Sequence, residues 1–256
     1  MQRRKFIVFE GIDGCGKTTQ IDYLARHLRG KDKYNEFFLA REPTRGATQV
    51  VRRLREDADP DSDAMVMAQG YVEDRKRHWK RLIEPALNQG AIVICDRFTL
   101  STLAYQSNQG IQLGTLRDMH TTRGIGSPEI TFYLDIPVSV AQERMRKRGD
   151  SPEKFDSPDF QIKLAERYER IISLSKEDES LRALVGKIET VSAIQSIDEL
   201  AKNIRDVYDS IIDQKIDAPP HLKRCGLIGA RFLDAQRADH TLKCVVLGRH
   251  VDINNL

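Results

Sequence analysis

Five short runs with strand character alternate with stretches of helical periodicity along this chain. The runs lie at 6–9, 36–40, 91–95, 130–135 and 187–191, and 91–95 (AIVIC) is apolar throughout. Between them the apolar positions recur every three or four residues. Ile21, Leu24, Ala25 and Leu28 mark a helix over 18–28, and Val50, Val51 and Leu54 a shorter one. Met67, Tyr71, His78, Leu82 and Leu87 fall roughly on one stripe of a long candidate at 63–88, with Gly90 as its stop. Ser101 to Gln106 begins another helix, Pro137 opens one at its first turn, and 198–212 is cleanly amphipathic. Pro43 and the turn Asp59-Pro60-Asp61 punctuate the pattern. Strands alternating with helices predict a mostly parallel sheet of five strands with right-handed crossovers and helices on both faces. In such sheets ligands sit beyond the carboxyl ends of the strands. Four chemically loaded clusters fall there: a glycine loop after the first strand, Arg41-Glu42, Asp96-Arg97 and Asp135.

The last forty residues depart from this pattern. Ala218-Pro219-Pro220 reads as a hinge, and 225–233 and 242–247 as two short strands, so 217–256 is treated as an appendage of open role. Its two His-x-x-x-Cys pairs, His221/Cys225 and His240/Cys244, match no usual zinc-ligand spacing. They are read as chance placements, with the cysteines packing as small hydrophobes.

Composition narrows the class only a little. A chain of 256 residues, 40% hydrophobic and 31% charged, suits one α/β domain with a small addition. A net charge of +3, from 41 basic and 38 acidic residues, gives no argument for nucleic acid as a partner. The basic residues cluster at Arg52, Arg53 and Arg55, at 75–81 and at 144–148, as solvated helix faces or as the lining of an anionic site. Four cysteines form no disulfide framework, the opening segment enters the first strand with too short an apolar stretch for a signal peptide, and no run is long enough to span a membrane. A soluble cytoplasmic protein is expected.

The most informative stretch is FEGIDGCGKTT at 9–19, where Gly11, Gly16, Lys17 and Thr18 fit G-x-x-x-x-G-K-[ST] between a strand and a helix. Glycines let successive backbone N–H groups turn toward phosphate oxygens, the following helix adds its positive end, Lys17 reaches the β/γ-phosphates and Thr18 offers a hydroxyl to Mg²⁺. Gly11, Gly14, Cys15, Gly16, Lys17, Thr18 and Thr19 are therefore the candidate cradle for a nucleoside triphosphate. Asp96, ending the strand at 91–95, suits either a carboxylate beside Thr18 on Mg²⁺ or an N-cap for the segment starting at Phe98. Arg41, Arg75 and Arg97 are candidates for a second anion site, since guanidinium forks grip phosphate bidentately.

Five blocks in order then resemble thymidylate kinases of the P-loop nucleoside monophosphate kinase group: FEGIDGCGKTT (9–19), REPT (41–44), YVEDRKRH (71–78), DRFTLSTLAYQ (96–106) and TFYLDIPVSVAQERMRKRG (131–149). The resemblance covers about 4–213. It implies a P-loop NTPase three-layer sandwich, a nucleoside monophosphate kinase domain over 1–213 with a lid at about 144–157, ATP and Mg²⁺ as cofactors, and conversion of dTMP to dTDP by a homodimer. Position by position it implies that Asp13 lies near the acceptor phosphate and Mg²⁺, that Tyr71 stacks on the base, and that Arg75 reaches the base edge. Arg97 would hold the acceptor phosphate, Thr102 contact the pyrimidine, and Tyr105 crowd the sugar 2′ position, with Ser101, Gln106 and Arg41 as further pocket residues. Arg144 and Arg148 would begin the lid that closes over the ATP phosphates. Lys17, Asp13, Arg97 and Arg148 are then the candidate catalytic residues, with Thr18 and Asp96 on the metal. An acceptor that is already a phosphate anion needs no general base, which agrees with the lack of an obvious catalytic histidine.

Three departures mark this chain. Where the family often has Asp-Arg-x-Glu in the lid, it has Glu153-Lys154-Phe155-Asp156; where a glycine-rich segment usually follows Tyr105-Gln106, it has Ser107-Asn108-Gln109-Gly110; and 217–256 has no counterpart. Two alternatives stay open at this level: another or modified deoxypyrimidine monophosphate as acceptor, or a nucleotide-binding regulatory protein without transfer activity.

Overall fold

The computed structural model describes residues 5–56, 59–149 and 153–211, together with the strand residues 237–238, 241–246 and 249–252. The chain divides into two compact units, Met1–Asp213 and Gln214–Leu256. The first contains, in order, β1 (Lys5–Glu10), α1 (Lys17–Lys31), β2 (Phe37–Arg41), α2 (Thr48–Glu56), α3 (Ala64–His78), a π-helical turn (Trp79–Ile83), α4 (Glu84–Asn88), β3 (Ile92–Asp96), α5 (Thr99–Asn108), α6 (Leu113–Thr121), β4 (Ile130–Asp135), α7 (Val138–Arg148), α8 (Pro158–Glu177), α9 (Glu179–Val185), β5 (Lys187–Ser192) and α10 (Ile197–Ile211). In the second unit, β6 (Arg237–Ala238), β7 (Thr241–Val246) and β8 (Arg249–Asp252) form an antiparallel sheet. The strand expected at 242–247 is therefore present, one residue earlier. The strand expected at 225–233, the hinge at 218–220 and the side chains of both His/Cys pairs lie outside the described residues.

The five strands of the first unit pair in parallel in the order β2-β3-β1-β4-β5. Burial follows from that order. β1 and β3, inside the sheet, are buried on both faces, whereas the edge strands β2 and β5 are largely half-buried or exposed. Along β1 successive side chains alternate between the faces. Phe6 and Val8 enter a cluster with Trp79, Ile83 and Phe98, while Ile7 and Phe9 join Leu24, Leu103, Phe132 and Tyr168. Each face thus has its own core, the three-layer α/β arrangement the pattern predicts.

The 63–88 segment is helical as expected, but its buried stripe differs. The π-helical turn at 79–83 widens the helix, so the face phased on Met67 and Val72 continues through Trp79 and Ile83 instead of Leu82, which is 37% exposed. The helices α6, α8 and α9 carry no expectation from the sequence analysis, although Phe160, Leu164, Tyr168, Ile171 and Ile172 of α8 have helical spacing and are buried.

The register brings the chemistry together. Phe9 and Arg41 are both paired with Asp96, so the ends of β1, β2 and β3 stand side by side. Asp135 ends β4, on the other side of β1; its side chain is exposed and its carbonyl accepts from Ala193 N. Among the described residues no helix is long and apolar enough to cross a membrane.

Candidate active site

A cavity of about 790 Å³ opens at the carboxyl edge of β1, β2 and β3. Its first wall is the loop between β1 and α1. Gly14 has φ 83°, and a Cβ there would lie 2.3 Å from Ala141 O of α7; Gly11 has φ 139°, and a Cβ there would lie 2.8 Å from Leu134 O. Both positions accept only glycine, because the turn needs left-handed backbone and passes too close to β4 and α7 for a side chain. The ammonium of Lys17, the first residue of α1, donates to Gly11 O and Ile12 O at 3.0 Å each and lies 3.6 Å from Cys15 Sγ. Gly14, Gly16, Lys17, Thr18 and Thr19 line the cavity; Gly11 and the buried Cys15 shape the loop from behind.

The second wall is the 41–44 loop, with a cis Glu42–Pro43 peptide bond, and α3 holds it. Asp74 accepts from Thr44 N at 2.7 Å and from Thr44 Oγ1 at 2.6 Å. Arg75 Nε donates to Glu42 Oε2 at 2.6 Å, and His78 Nδ1 lies 3.0 Å from Glu42 Oε1. Arg75 and Glu42 are 1% and 3% exposed, and removing one partner of such a buried pair costs about 3–5 kcal/mol. Arg75 Nη1 donates to Thr102 Oγ1 at 3.0 Å and to His120 Nε2 at 2.7 Å, and its guanidinium lies over Phe98, 5.0 Å from the ring centre. Burial, and then the charge of Arg75, lower the His120 pKa to about 3. The neutral ring donates from Nδ1 to Leu116 O at 2.7 Å, which leaves Nε2 as the acceptor Arg75 requires.

The floor is a charged network centred on Arg97. Its φ of 67° is left-handed, a conformation costing about 1–3 kcal/mol outside glycine and held here by a bond from Arg97 N to Phe9 O at 2.9 Å. So aimed, Arg97 Nη2 donates to Asp13 Oδ1 at 2.7 Å, and Nη1 reaches Ser101 Oγ at 3.2 Å and Tyr168 OH at 3.4 Å. Tyr105 OH donates to the other oxygen of Asp13 at 3.1 Å. Desolvation opposes charge on Asp13, but Arg97 and Lys17 outweigh it and hold the carboxyl well below its usual range. Beneath lies Glu10, fully buried at the end of β1, which accepts from Phe98 N at 2.8 Å, Ser101 N at 3.1 Å, Ser101 Oγ at 2.6 Å and Tyr168 OH at 3.1 Å. Two of those donors are orphan amides at the start of α5, so Glu10, and not Asp96, caps that helix.

Asp96 and Thr18 face one another across Arg41, whose Nη2 lies 2.8 Å from Asp96 Oδ2 and 2.9 Å from Thr18 Oγ1. Asp96 Oδ1 is buried without a hydrogen-bond partner among the described residues. A carboxylate oxygen with unused capacity beside a hydroxyl is the hard-oxygen donor set that Mg²⁺ takes, and these residues fit it.

The structure therefore brings together Asp13, Thr18, Arg41, Tyr71, Arg75, Asp96, Arg97, Ser101, Thr102, Tyr105, Gln106 and Arg148 on one cavity. It does not bring Arg144 there: Nη2 of that residue donates to Ala193 O at 3.0 Å. The lid departure resolves in the same way. Lys154 is 3% exposed, and its ammonium bonds Asp59 O and, at 2.5 Å, Ser62 Oγ. Phe155 beside it lines the cavity and packs edge-on to Tyr105, 5.3 Å between ring centres. Sequence reasoning missed Glu10, Tyr168 and His120. Glu10 had a signal, an acid ending an otherwise apolar strand; Tyr168 had only the spacing within α8; His120 had none.

The comparisons with known proteins agree with this geometry. A family model described as thymidylate kinase matches residues 9–204. The chain is 37% identical over 217 residues to a thymidylate kinase of Wolbachia pipientis wMel, covering 82% of this chain and 98% of that protein. It is 36% identical over 214 residues to one from Wolbachia pipientis of Culex pipiens, covering 81% and 94% respectively. A probable thymidylate kinase of Pyrococcus horikoshii is 33% identical over 207 residues, covering 79% and 94%.

Proposed function

The chain belongs to the thymidylate kinase family, and from that premise we propose that it transfers the γ-phosphoryl group of ATP to the phosphate of dTMP, giving dTDP and ADP. The observation that carries the reading is the single cavity in which a glycine-loop lysine and an arginine-lined anion pocket meet across Asp13. Two polyanions must be held in line against their mutual repulsion, and alignment with charge neutralisation is nearly all that this reaction needs.

Gly14, Gly16, Lys17, Thr18 and Thr19 hold the donor phosphates, with Gly11 and Cys15 shaping the loop. Thr18 and Asp96 would hold Mg²⁺, which when bound neutralises phosphate charge. Arg97, oriented by Asp13, Ser101 and Tyr168, grips the acceptor phosphate together with Arg41. Arg148, on the cavity wall, neutralises charge as the phosphoryl group passes. Tyr71 supplies a face for the base, Arg75, Thr102 and Gln106 its polar edge contacts, and Tyr105, fixed between Asp13 and Phe155, closes the sugar side against a 2′-hydroxyl. Arg75 is already satisfied on three sides, so its remaining Nη2, with no hydrogen bond among the described residues, is the edge offered to the ligand.

The protein works as a cytoplasmic homodimer on a small-molecule substrate, with no nucleic-acid or membrane partner. Family resemblance supports the dimer, and the buried free thiols Cys15 and Cys95 support a reducing compartment. The test is a panel of nucleoside monophosphates assayed with ATP and Mg²⁺, with and without residues 217–256. Turnover of dTMP well above AMP, GMP and CMP is expected. Preference for a purine acceptor overturns the specificity, and nucleotide binding by calorimetry without any transfer overturns the reaction.

A further inference from the structure

The departure at 107–110 carries its own chemistry. Gln106 is fully buried, lines the cavity and begins a chain of side-chain amides. Gln106 Nε2 donates to Gln109 Oε1 at 3.0 Å, and Gln109 Nε2 donates to Pro60 O at 2.5 Å. The far end of this chain has only one chemical possibility. A backbone carbonyl accepts and never donates, so Gln109 must turn its NH₂ to Pro60 and its oxygen to Gln106. Gln106 must in turn present its NH₂ to Gln109. Its own oxygen is left as a buried acceptor without a hydrogen-bond partner among the described residues. The turn that supplies Pro60 O is itself fixed, with Lys154 bonding Asp59 O and Ser62 Oγ and Asp59 Oδ1 accepting from Asp61 N at 3.0 Å.

We propose that Gln109, anchored on Pro60 O, is the positioning residue that sets the hydrogen-bond polarity of the acceptor-base pocket: it holds the Gln106 carboxamide with its oxygen available, and so selects a base whose ring nitrogen carries a proton. This rests on the pyrimidine monophosphate reading of the cavity. An imide ring, as in thymine or uracil, offers an N–H to Gln106 Oε1; the corresponding nitrogen of cytosine is an acceptor and meets like with like. A carboxamide free to rotate half a turn would serve both rings, because its two ends are nearly the same size. Gln109 removes that freedom, since a flipped Gln106 would place two carbonyl oxygens together in a buried site, where an unmatched acceptor costs about 1–3 kcal/mol.

The experiment uses the full chain with dTMP, dUMP and dCMP as acceptors and compares the wild type with three substitutions. Gln109→Glu gives up the bond to Pro60 O, at a cost in stability, but presents only acceptors to Gln106 Nε2; Gln109→Leu removes the partner; Gln109→Lys puts a donor there and turns the Gln106 oxygen away from the base. Expected ratios of kcat/KM for dTMP over dCMP are within about 3-fold of wild type for Glu, at least 10-fold lower for Leu, and lower still for Lys, where the energy of a flipped hydrogen bond applies twice. A purely structural role would impair Glu and Lys alike, so equal ratios across folded variants, or a wild type without preference for the imide acceptors, overturn the proposal. Where a variant melts too early to assay, calorimetric affinities for dTMP and dCMP at low temperature give the same ratio. A wild type that binds dTMP in preference to dCMP yet transfers nothing refutes the kinase reading and leaves the polarity assignment to be decided by those affinities.

Discussion

Arg41 Nη2 stands 2.8 Å from Asp96 Oδ2, the same carboxylate whose other oxygen is buried without a partner among the described residues. The arginine thus shares its carboxylate with the pair that suits a cation, and it holds Thr18 Oγ1 as well. Its side chain is 63% exposed, so the interaction is screened and worth about 1 kcal/mol or less. Arg41→Ala should act in opposite directions on two measurements. The Mg²⁺ concentration for half-maximal activity should fall by about 2–5-fold, because a competitor for Asp96 and Thr18 is gone, while KM for the acceptor should rise at least 10-fold. Magnesium and acceptor titrations of the variant check both, and parallel changes would mean that Arg41 serves only one ligand.

Lys154 gives a second separation. Its ammonium is bonded to Asp59 O and Ser62 Oγ, and unlike Glu153, Phe155 and Asp156 the residue does not line the cavity. Lys154→Met should therefore lower stability by about 1–3 kcal/mol through the lost charge-assisted bonds and raise acceptor KM a few-fold by loosening Phe155 against Tyr105. It should leave kcat within about 5-fold. Lys17→Ala, which removes a charge at the donor loop, should lower kcat by about 10²–10³ with the fold intact. A kcat loss of that size in Lys154→Met would show the lysine to be a phosphate ligand.

These contrasts mark how far the sequence could be read. The sheet, its strand positions and the glycine loop were legible because each depends on local pattern: alternation or apolar runs for strands, and a fixed spacing for the loop. Arg41, Asp96 and Arg97 were legible as strand-end residues, since topology alone brings such ends together. The direction of a side chain was not. Nothing local distinguishes Arg144, turned to Ala193 O, from Arg148 on the cavity wall, or shows that Lys154 folds back on the 59–62 turn. The π-helical turn escaped for the same reason: 3.6-residue periodicity through Leu82 reads well until Trp79 and Ile83 are packed against β1 and β3. Long-range partners such as Glu10 and Tyr168, 158 residues apart, have no signature in a single chain.

Glu10 is a prediction in its own right. Burial pushes its carboxyl upward, opposed by Arg97 and by the hydrogen bonds from Ser101 and Phe98. Both amides bond one oxygen and both hydroxyls the other, so Glu10→Gln replaces charge-assisted bonds by neutral ones and forces Ser101 Oγ and Tyr168 OH to turn from donors into acceptors of the new NH₂ group. A loss of about 2–3 kcal/mol in unfolding free energy is expected from urea titration. Because Ser101 and Tyr168 also support Arg97, acceptor KM should rise while KM for ATP stays near wild type. A stability loss with no change in acceptor KM would confine Glu10 to capping α5.

His120 links the base pocket to pH. Its folded pKa, lowered to about 3 by burial and by Arg75, lies below the value of about 6.5 expected in the unfolded chain. Above pH 6.5 the ring is neutral in both states and contributes no pH dependence. As pH falls below 6.5 the unfolded chain binds a proton that the folded protein refuses, so stability drops by up to about 1.4 kcal/mol per pH unit until pH approaches 3. Between pH 6.5 and pH 5 that amounts to about 1.6 kcal/mol from this residue alone. His120→Gln keeps an acceptor for Arg75 Nη1 and removes the titration, so its urea midpoint should fall less than that of the wild type over this interval. Parallel slopes for the two proteins would mean that the folded ring takes up its proton as readily as the unfolded one, against its role as acceptor from Arg75 and donor to Leu116 O.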